Sequence, residues 1–255
     1  MTAFLRQTWY IYVRNFKTWI AQPAIFIPSI VFSAFFFLLF AAPLGGVTAL
    51  EGFPTDDYEA YMAATIIVMT VVFSGADAAM AMLADVLSGY FDKMLLAPIN
   101  RMSILLGSML IAGTRALLQV VIIIIMALIL GVDFQGGVAG IFLIILLSTL
   151  LGVAWAAVGL MIAIKSKSAQ VTQTSWLLFM PVAFITTAYM PKEFLTGWFK
   201  WIVTANPVDY VLNSIRTIVI TGWDWGPIML GIWVLLAMVG VLTLAATWVY
   251  RRETA

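Results

Sequence analysis

Residues Val138 to Ile164 read VAGIFLIILLSTLLGVAWAAVGLMIAI and contain no charged side chain. A helix needs about 20 apolar residues to cross a hydrocarbon core, and this run exceeds that length. It shows none of the apolar–polar alternation of a barrel strand, and backbone amides in lipid must bond within their own segment, so it reads as a membrane-spanning helix. Lys165 and Lys167 follow the run, whereas the segment before it, Gly131 to Gly137, carries only Asp133.

Similar runs flank this one on both sides. Upstream are Ala24 to Leu44, with Pro28 near its start, then Tyr61 to Leu83, interrupted by Asp77, and Ile104 to Leu130, interrupted by Arg115. Downstream are Val171 to Tyr189 and Ile228 to Tyr250. The expected fold class is therefore an all-α integral membrane protein of six transmembrane helices. A composition of 64% hydrophobic and 10% charged residues lies far outside the range of water-soluble domains. No cleavable signal peptide is expected, because the first apolar run is too long for a signal core. The absence of Cys and His removes disulfides, thiolate chemistry, the usual zinc sites and any imidazole base.

Charge in the short loops sets an orientation. One side collects Arg6, Arg14, Lys17, Lys93, Arg101, Lys165, Lys167, Arg251 and Arg252. The opposite loops, Gly45 to Ala60 and Gly131 to Gly137, hold Glu51, Asp56, Asp57, Glu59 and Asp133 with no Lys or Arg. The positive-inside rule then places both termini in the cytoplasm, in a multi-pass protein of the plasma or inner membrane.

The organisation expected is a single permease domain over residues 1–255, with three elements besides the spans. Residues 1–22 form an interfacial helix, with Phe4, Leu5, Thr8, Trp9, Tyr12, Phe16 and Trp19 on one side and Arg6, Gln7, Arg14 and Lys17 opposite. Residues 84–102 form a cytoplasmic loop, whose section DVLSGYFDKMLLAPINR reads as a short amphipathic helix with an apolar patch at Met94, Leu95 and Leu96. Bare, that helix serves either as an interfacial anchor or as a docking element for a partner. Residues 191–226 carry Lys192, Lys200, Arg216 and many aromatics, and read as two short outer-leaflet re-entrant helices broken at Asn206-Pro207.

Two of these elements carry a resemblance. Gly89, Asp92-Lys93, Leu96, Pro98 and Arg101 on the inner face, with Pro191, Trp198, Asn206, Pro207, Tyr210 and Arg216 on the outer face, are similar to the motifs of the type 2 family of ABC export permeases. The resemblance covers nearly the whole chain. It implies a transmembrane subunit that pairs with a second, identical or related permease and with two cytoplasmic ABC ATPase subunits. Gly89, Asp92, Lys93, Met94, Leu95, Leu96, Pro98 and Arg101 would then be an ATPase-coupling helix. No GxxxxGK[ST] loop is present, so ATP and Mg would be bound by the partner subunit, with no cofactor in this chain and no catalytic residues. Lipid is the other expected partner; nucleic acid is not. The family exports drugs, antibiotics, lipids and lipid-linked polysaccharides. Few polar residues occur in the spans, which leans toward a hydrophobic or amphipathic substrate, with a polysaccharide or lipid-linked glycan as the alternative.

Ionisable residues inside spans are costly, at least about 2.5 to 3.5 kcal/mol near the bilayer centre. Asp77 and Arg115 lie on adjacent expected spans and form a candidate intramembrane charge pair. They belong either to a substrate or gating path or to a structural ion pair, or Arg115 reaches the inner interface by snorkelling. An ion-coupled transporter or channel is the more distant alternative, and would need more buried acids than Asp77. An intramembrane protease is disfavoured because no two acids share a span.

Overall fold

The computed structural model describes residues 2–41, 48, 53–174 and 176–254. The end of the first expected span at 42–44, the outer-loop Glu51, and Ser175 within the fifth lie outside the described residues.

The chain begins with α1 (Thr2–Ile20), an amphipathic helix ended by a turn at Ala21-Gln22. Pro23 opens α2 (Pro23–Ala41), where its missing N–H costs nothing in the first turn. The helix α3 (Tyr58–Leu87) is capped by Asp57, whose carboxylate accepts from the Ala60 amide at 3.0 Å. After Gly89 comes the short α4 (Tyr90–Leu96), then α5 (Arg101–Ile129), capped by the Asn100 side chain, and α6 (Gly137–Ser166). The fifth apolar stretch contains α7 (Ala169–Thr174) and α8 (Trp176–Phe184). A 3-10 turn at Lys192–Phe194 leads to α9 (Gly197–Ala205), α10 (Pro207–Ile220) and the terminal α11 (Trp225–Thr254).

Among the described residues four helices, α3, α5, α6 and α11, are long and apolar enough to cross a membrane. The first and fifth expected spans are the shorter ones. The described apolar stretch of α2 is Ile30–Phe40. The fifth departs from the expected helix to Tyr189: α8 ends at Phe184 and residues 185–190 bend. Pro181 lies three residues before that end and deprives the helix of one backbone donor.

The core is built around α3, buried along most of its length and packed against α2, α5, α6, α8 and α10. Small residues allow the closest approaches. A Cβ added at Gly159 of α6 would collide with the Gly75 carbonyl of α3, and one added at Gly75 would lie 2.7 Å from the Trp155 carbonyl. Between α5 and α6, a Cβ on Gly152 would meet that of Ala116 at 2.5 Å. Lipid tails are as apolar as leucine, so helix association in a membrane relies on such close backbone packing. The remaining large apolar side chains, Phe142 and Leu146 of α6 and Leu244 of α11 among them, stay exposed as lipid-facing surfaces require.

The two sides of α1 have different surroundings. Leu5 and Trp9 point away from the protein, while Thr8, Ile11, Asn15 and Trp19 seat the helix on α5. Arg14 turns from the cationic side toward α3. It forms a forked ion pair with Asp85 at 2.5 and 2.6 Å and lies 4.0 Å over the Tyr90 ring. Asp85 accordingly holds the Arg14 guanidinium pKa above its ordinary value, against the opposing effect of partial burial.

Candidate functional site

An apolar space lies between α2, α3, α5 and α8. It is a cavity of about 460 Å³ walled by Phe32, Phe36, Phe73, Met69, Phe184 and Tyr189, among others. Pro28 keeps α2 helical while removing one backbone bond, and Pro181 does the same in α8, so both side walls carry a proline. Polar groups on the wall are few. Thr70 donates to Ser33 at 3.1 Å, and Ser74, Asp77, Gln119 and the Tyr189 hydroxyl complete the set.

Asp77 also lines a second cavity of about 170 Å³ beneath α1. That cavity is polar, with Arg14, Asn15, Asp85, Ser108 and Arg115 on its wall. The sequence brought Asp77 and Arg115 together as a pair, and the structure places them on adjacent helices facing this space. They form no ion pair within 4.0 Å; Arg14–Asp85 is the contact of that kind among the described residues. Arg115 instead lies 5.5 Å from the Trp19 ring, and its Nε has no hydrogen-bond partner. Because α3 continues to Leu87, Asp77 sits about 15 Å from the C-terminal end of its helix at the usual rise, deeper than the expected span end implied.

The end of the protein where α3 and α6 begin holds a buried polar cluster around the bend after α8. Asp209, Asn213 and Arg216 recur at intervals of four and three along α10 and so share one face. Thr187 stands between the two charges: its hydroxyl donates to Asp209 Oδ1 at 2.7 Å and accepts from Arg216 Nη1 at 3.0 Å. Its amide also donates to Asp209, at 2.7 Å. The freed carbonyls find donors as well. Thr187 O accepts from Tyr61 Oη at 2.7 Å and Arg216 Nη2 at 2.9 Å, and Ala188 O accepts from Thr65 Oγ1 at 2.8 Å. The guanidinium stacks 3.8 Å from the Tyr61 ring centroid. Arg216, one of the outer-motif residues, is only 7% exposed, and Asp209 only 3%. Buried non-helical backbone is tolerated when protein groups satisfy it, and here they do.

The other outer-motif residues divide between this cluster and the surface. Asn206 donates to the carbonyls of Val182 and Ile185, both at 2.7 Å, and its Oδ1 caps α10 at Val208. Pro207 occupies the first helical position, Tyr210 donates to Thr204 O at 2.8 Å, and Pro191 precedes the 3-10 turn. Trp198 is exposed on α9. Sequence reasoning missed Asp209, Asn213, Thr187, Thr65 and Tyr61. The helical spacing of Asp209, Asn213 and Arg216 was a legible signal for the first two.

At the opposite end, Gly89 takes a left-handed conformation (φ 69°) that starts α4, and Ala97 is extended, as a residue before proline prefers, so α4 ends at Leu96 and Pro98 carries the turn. The expected three-residue docking patch is corrected. Met94 and Phe91 are buried among Met82, Leu105, Met109 and Tyr250, with Leu95 partly buried beside them. A helix of seven residues has room for only one face against the protein, and that face takes Met94. Leu96 is 88% exposed; Asp92, Lys93, Pro98 and Arg101 share the exposed side.

A family profile described as ABC-2 type transporter matches residues 6–220. The chain is 26% identical over 240 residues to the daunorubicin resistance ABC transporter permease protein DrrB1 of Streptomyces coeruleorubidus, covering 91% of this chain and 82% of that one. It is 27% identical over 186 residues to ycf38 of Porphyra purpurea, covering 68% and 64% of the two chains. A DrrC permease of Mycobacterium tuberculosis, whose name assigns it to doxorubicin resistance, is 23% identical over 214 residues, covering 84% of this chain and 76% of that one. With apolar membrane-length helices, the motif-bearing α4 and α10 segments and a family match over most of its length, the chain belongs to the ABC-2 type transporter family of multi-pass membrane permeases.

Proposed function

We propose that this chain is the membrane subunit of an ATP-driven exporter that carries hydrophobic or amphipathic molecules through the cavity between α2, α3, α5 and α8. The observation that carries the reading is the wall of that cavity, largely aromatic and aliphatic over about 460 Å³. Pockets for apolar ligands have this size and lining, with few polar groups to set orientation. The drug-resistance names of the DrrB1 and DrrC relatives agree with it.

In this reading α2 and the α7–α8 segment complete six spans in a single permease domain, both termini are cytoplasmic, and α9 and α10 lie in the outer leaflet without crossing. The lengths support the last point, since the 14 residues of α10 rise about 21 Å against a core of about 30 Å. A second permease closes the open side of the cavity. Two separate ATPase subunits bind ATP and Mg and dock on the exposed face of α4, at Asp92, Lys93, Leu96, Pro98 and Arg101. Arg14 ties α1 to Asp85 and Tyr90, so movement of α4 reaches the inner ends of α1 and α3 together.

Filling the cavity tests the proposal. Met69 lines it from α3, so Met69→Trp occupies the path, whereas Leu128→Trp adds the same bulk to an exposed site on α5. In proteoliposomes of the permease with its ATPase, Met69→Trp is expected to lower transport of a lipophilic dye at least about tenfold, with assembly intact and Leu128→Trp unaffected. Normal transport by Met69→Trp would overturn the assignment of the path.

A further inference from the structure

Asp77 is the residue that lines both the apolar cavity and the polar cavity beneath α1. Among the described residues it is also the one Asp, Glu, Lys or Arg on the apolar wall. No hydrogen bond or ion pair within the described residues reaches its carboxylate. Arg115, the nearest opposite charge, lines the polar cavity alone and is turned toward Trp19. A carboxylate in such a place is expensive, and membrane proteins keep such groups where a ligand or a path uses them. Around it stand Phe32, Phe36, Phe73, Phe184 and Tyr189. The faces of aromatic rings attract cations, most strongly where water is excluded.

Resting on the export reading above, we infer that this site selects organic cations: molecules with a bulky apolar body, held among the cavity rings, and a positive head placed beside Asp77. Its position at the junction of the two cavities gives the head a polar approach from the inner side while the body enters from the apolar one. An anionic amphiphile of the same shape meets a carboxylate that no ion pair covers and is rejected. A neutral one binds without using Asp77.

Tetraphenylphosphonium and tetraphenylborate are nearly the same shape with opposite permanent charge, and Nile red is a neutral apolar probe. Binding of each to the purified full-length permease is measured by equilibrium dialysis in a detergent with neutral head groups, with empty micelles as blank. Wild type is expected to bind the phosphonium at least about tenfold tighter than the borate, and Asp77→Asn to weaken the phosphonium about tenfold while leaving Nile red unchanged. Asp77→Glu, which keeps the charge, is expected to recover most of the loss. A merely structural role for Asp77 would instead weaken Nile red binding as well. Equal phosphonium affinity in Asp77→Asn and wild type, or equal binding of the two ions by wild type, overturns the inference. Should Asp77→Asn fail to fold, the comparison of the two ions on wild type still decides. The two readings fail separately. If Met69→Trp abolishes binding of all probes while Asp77→Asn changes none, the cavity stands and cation selection falls; if Met69→Trp leaves every probe bound, the cavity itself is wrong.

Discussion

Arg216 shows how a single charged side chain is kept in an apolar protein. Its two terminal nitrogens reach Thr187, Thr65 and the Thr187 carbonyl, and its flat face lies on Tyr61. Asp209 balances the charge through the Thr187 hydroxyl without direct contact. The planar fork of arginine suits this set of acceptors, and a lysine ammonium serves only part of it. Arg216→Lys is therefore expected to lower the thermal unfolding midpoint of the purified permease. Arg216→Met is expected to cost more, about 3 to 5 kcal/mol, because Asp209 is then a buried charge without compensation. Fluorescence-detected gel filtration after heating reads both. Equal midpoints for Arg216→Met and wild type would show that the cluster contributes nothing to stability.

At the scale of the element, α4 is divided between two tasks. Phe91 and Met94 hold it to the ends of α3, α5, α6 and α11, and the opposite side is left open with Leu96 at its end. Substitutions on the two sides should therefore fail in different ways. Leu96→Asp is expected to leave expression and folding of the permease unchanged and to prevent co-purification with the ATPase, since a few apolar contacts carry most of an interface at about 2 kcal/mol or more each. Met94→Asp places a charge among apolar side chains and is expected to reduce folded permease itself. Lys93→Ala should matter less, as a rim charge acts mainly on encounter rate and salt sensitivity. Co-purification of Leu96→Asp permease at the wild-type level would remove α4 as the docking element. The amphipathic pattern of α4 was legible in the sequence, but the division of its apolar residues was not. Met94 and Leu96 are both apolar neighbours of Leu95, and which one is covered depends on where α5 and α11 pass.

At the scale of the whole molecule, loop charge predicts the topology. The loop charges divide cleanly, and Asp56 and Lys165 lie at opposite ends of the α3 and α6 helices that form the core. An impermeant maleimide is expected to label Asp56→Cys from outside intact cells and Lys165→Cys only after permeabilisation, in a chain that has no native cysteine to confuse the result. The opposite pattern would invert the protein and move α4 away from any cytoplasmic ATPase.

The membrane-spanning character of this protein was written in its sequence, because a bilayer imposes length and apolarity on each crossing segment separately and no tertiary contact is needed to read them. The caps at Asp57, Asn100 and Asn206, the stop at Pro98 and the amphipathic character of α1 and α4 are equally local. What tertiary structure decided were the relations between distant segments. The fifth apolar stretch leaves its helix at Ile185 because Tyr61, Thr65, Asn206 and Arg216, none of them close in the chain, supply the donors that the helix would have provided. Arg14 pairs with Asp85, and Arg115 does not pair with Asp77, because α1 seats on α5 in a register that loop charges do not encode. The cavity joining Asp77 to a ring of aromatics also exists only once α2 and α8 stand beside α3. Hydrophobic periodicity says which residues avoid water, but it does not say which helices leave a gap between them.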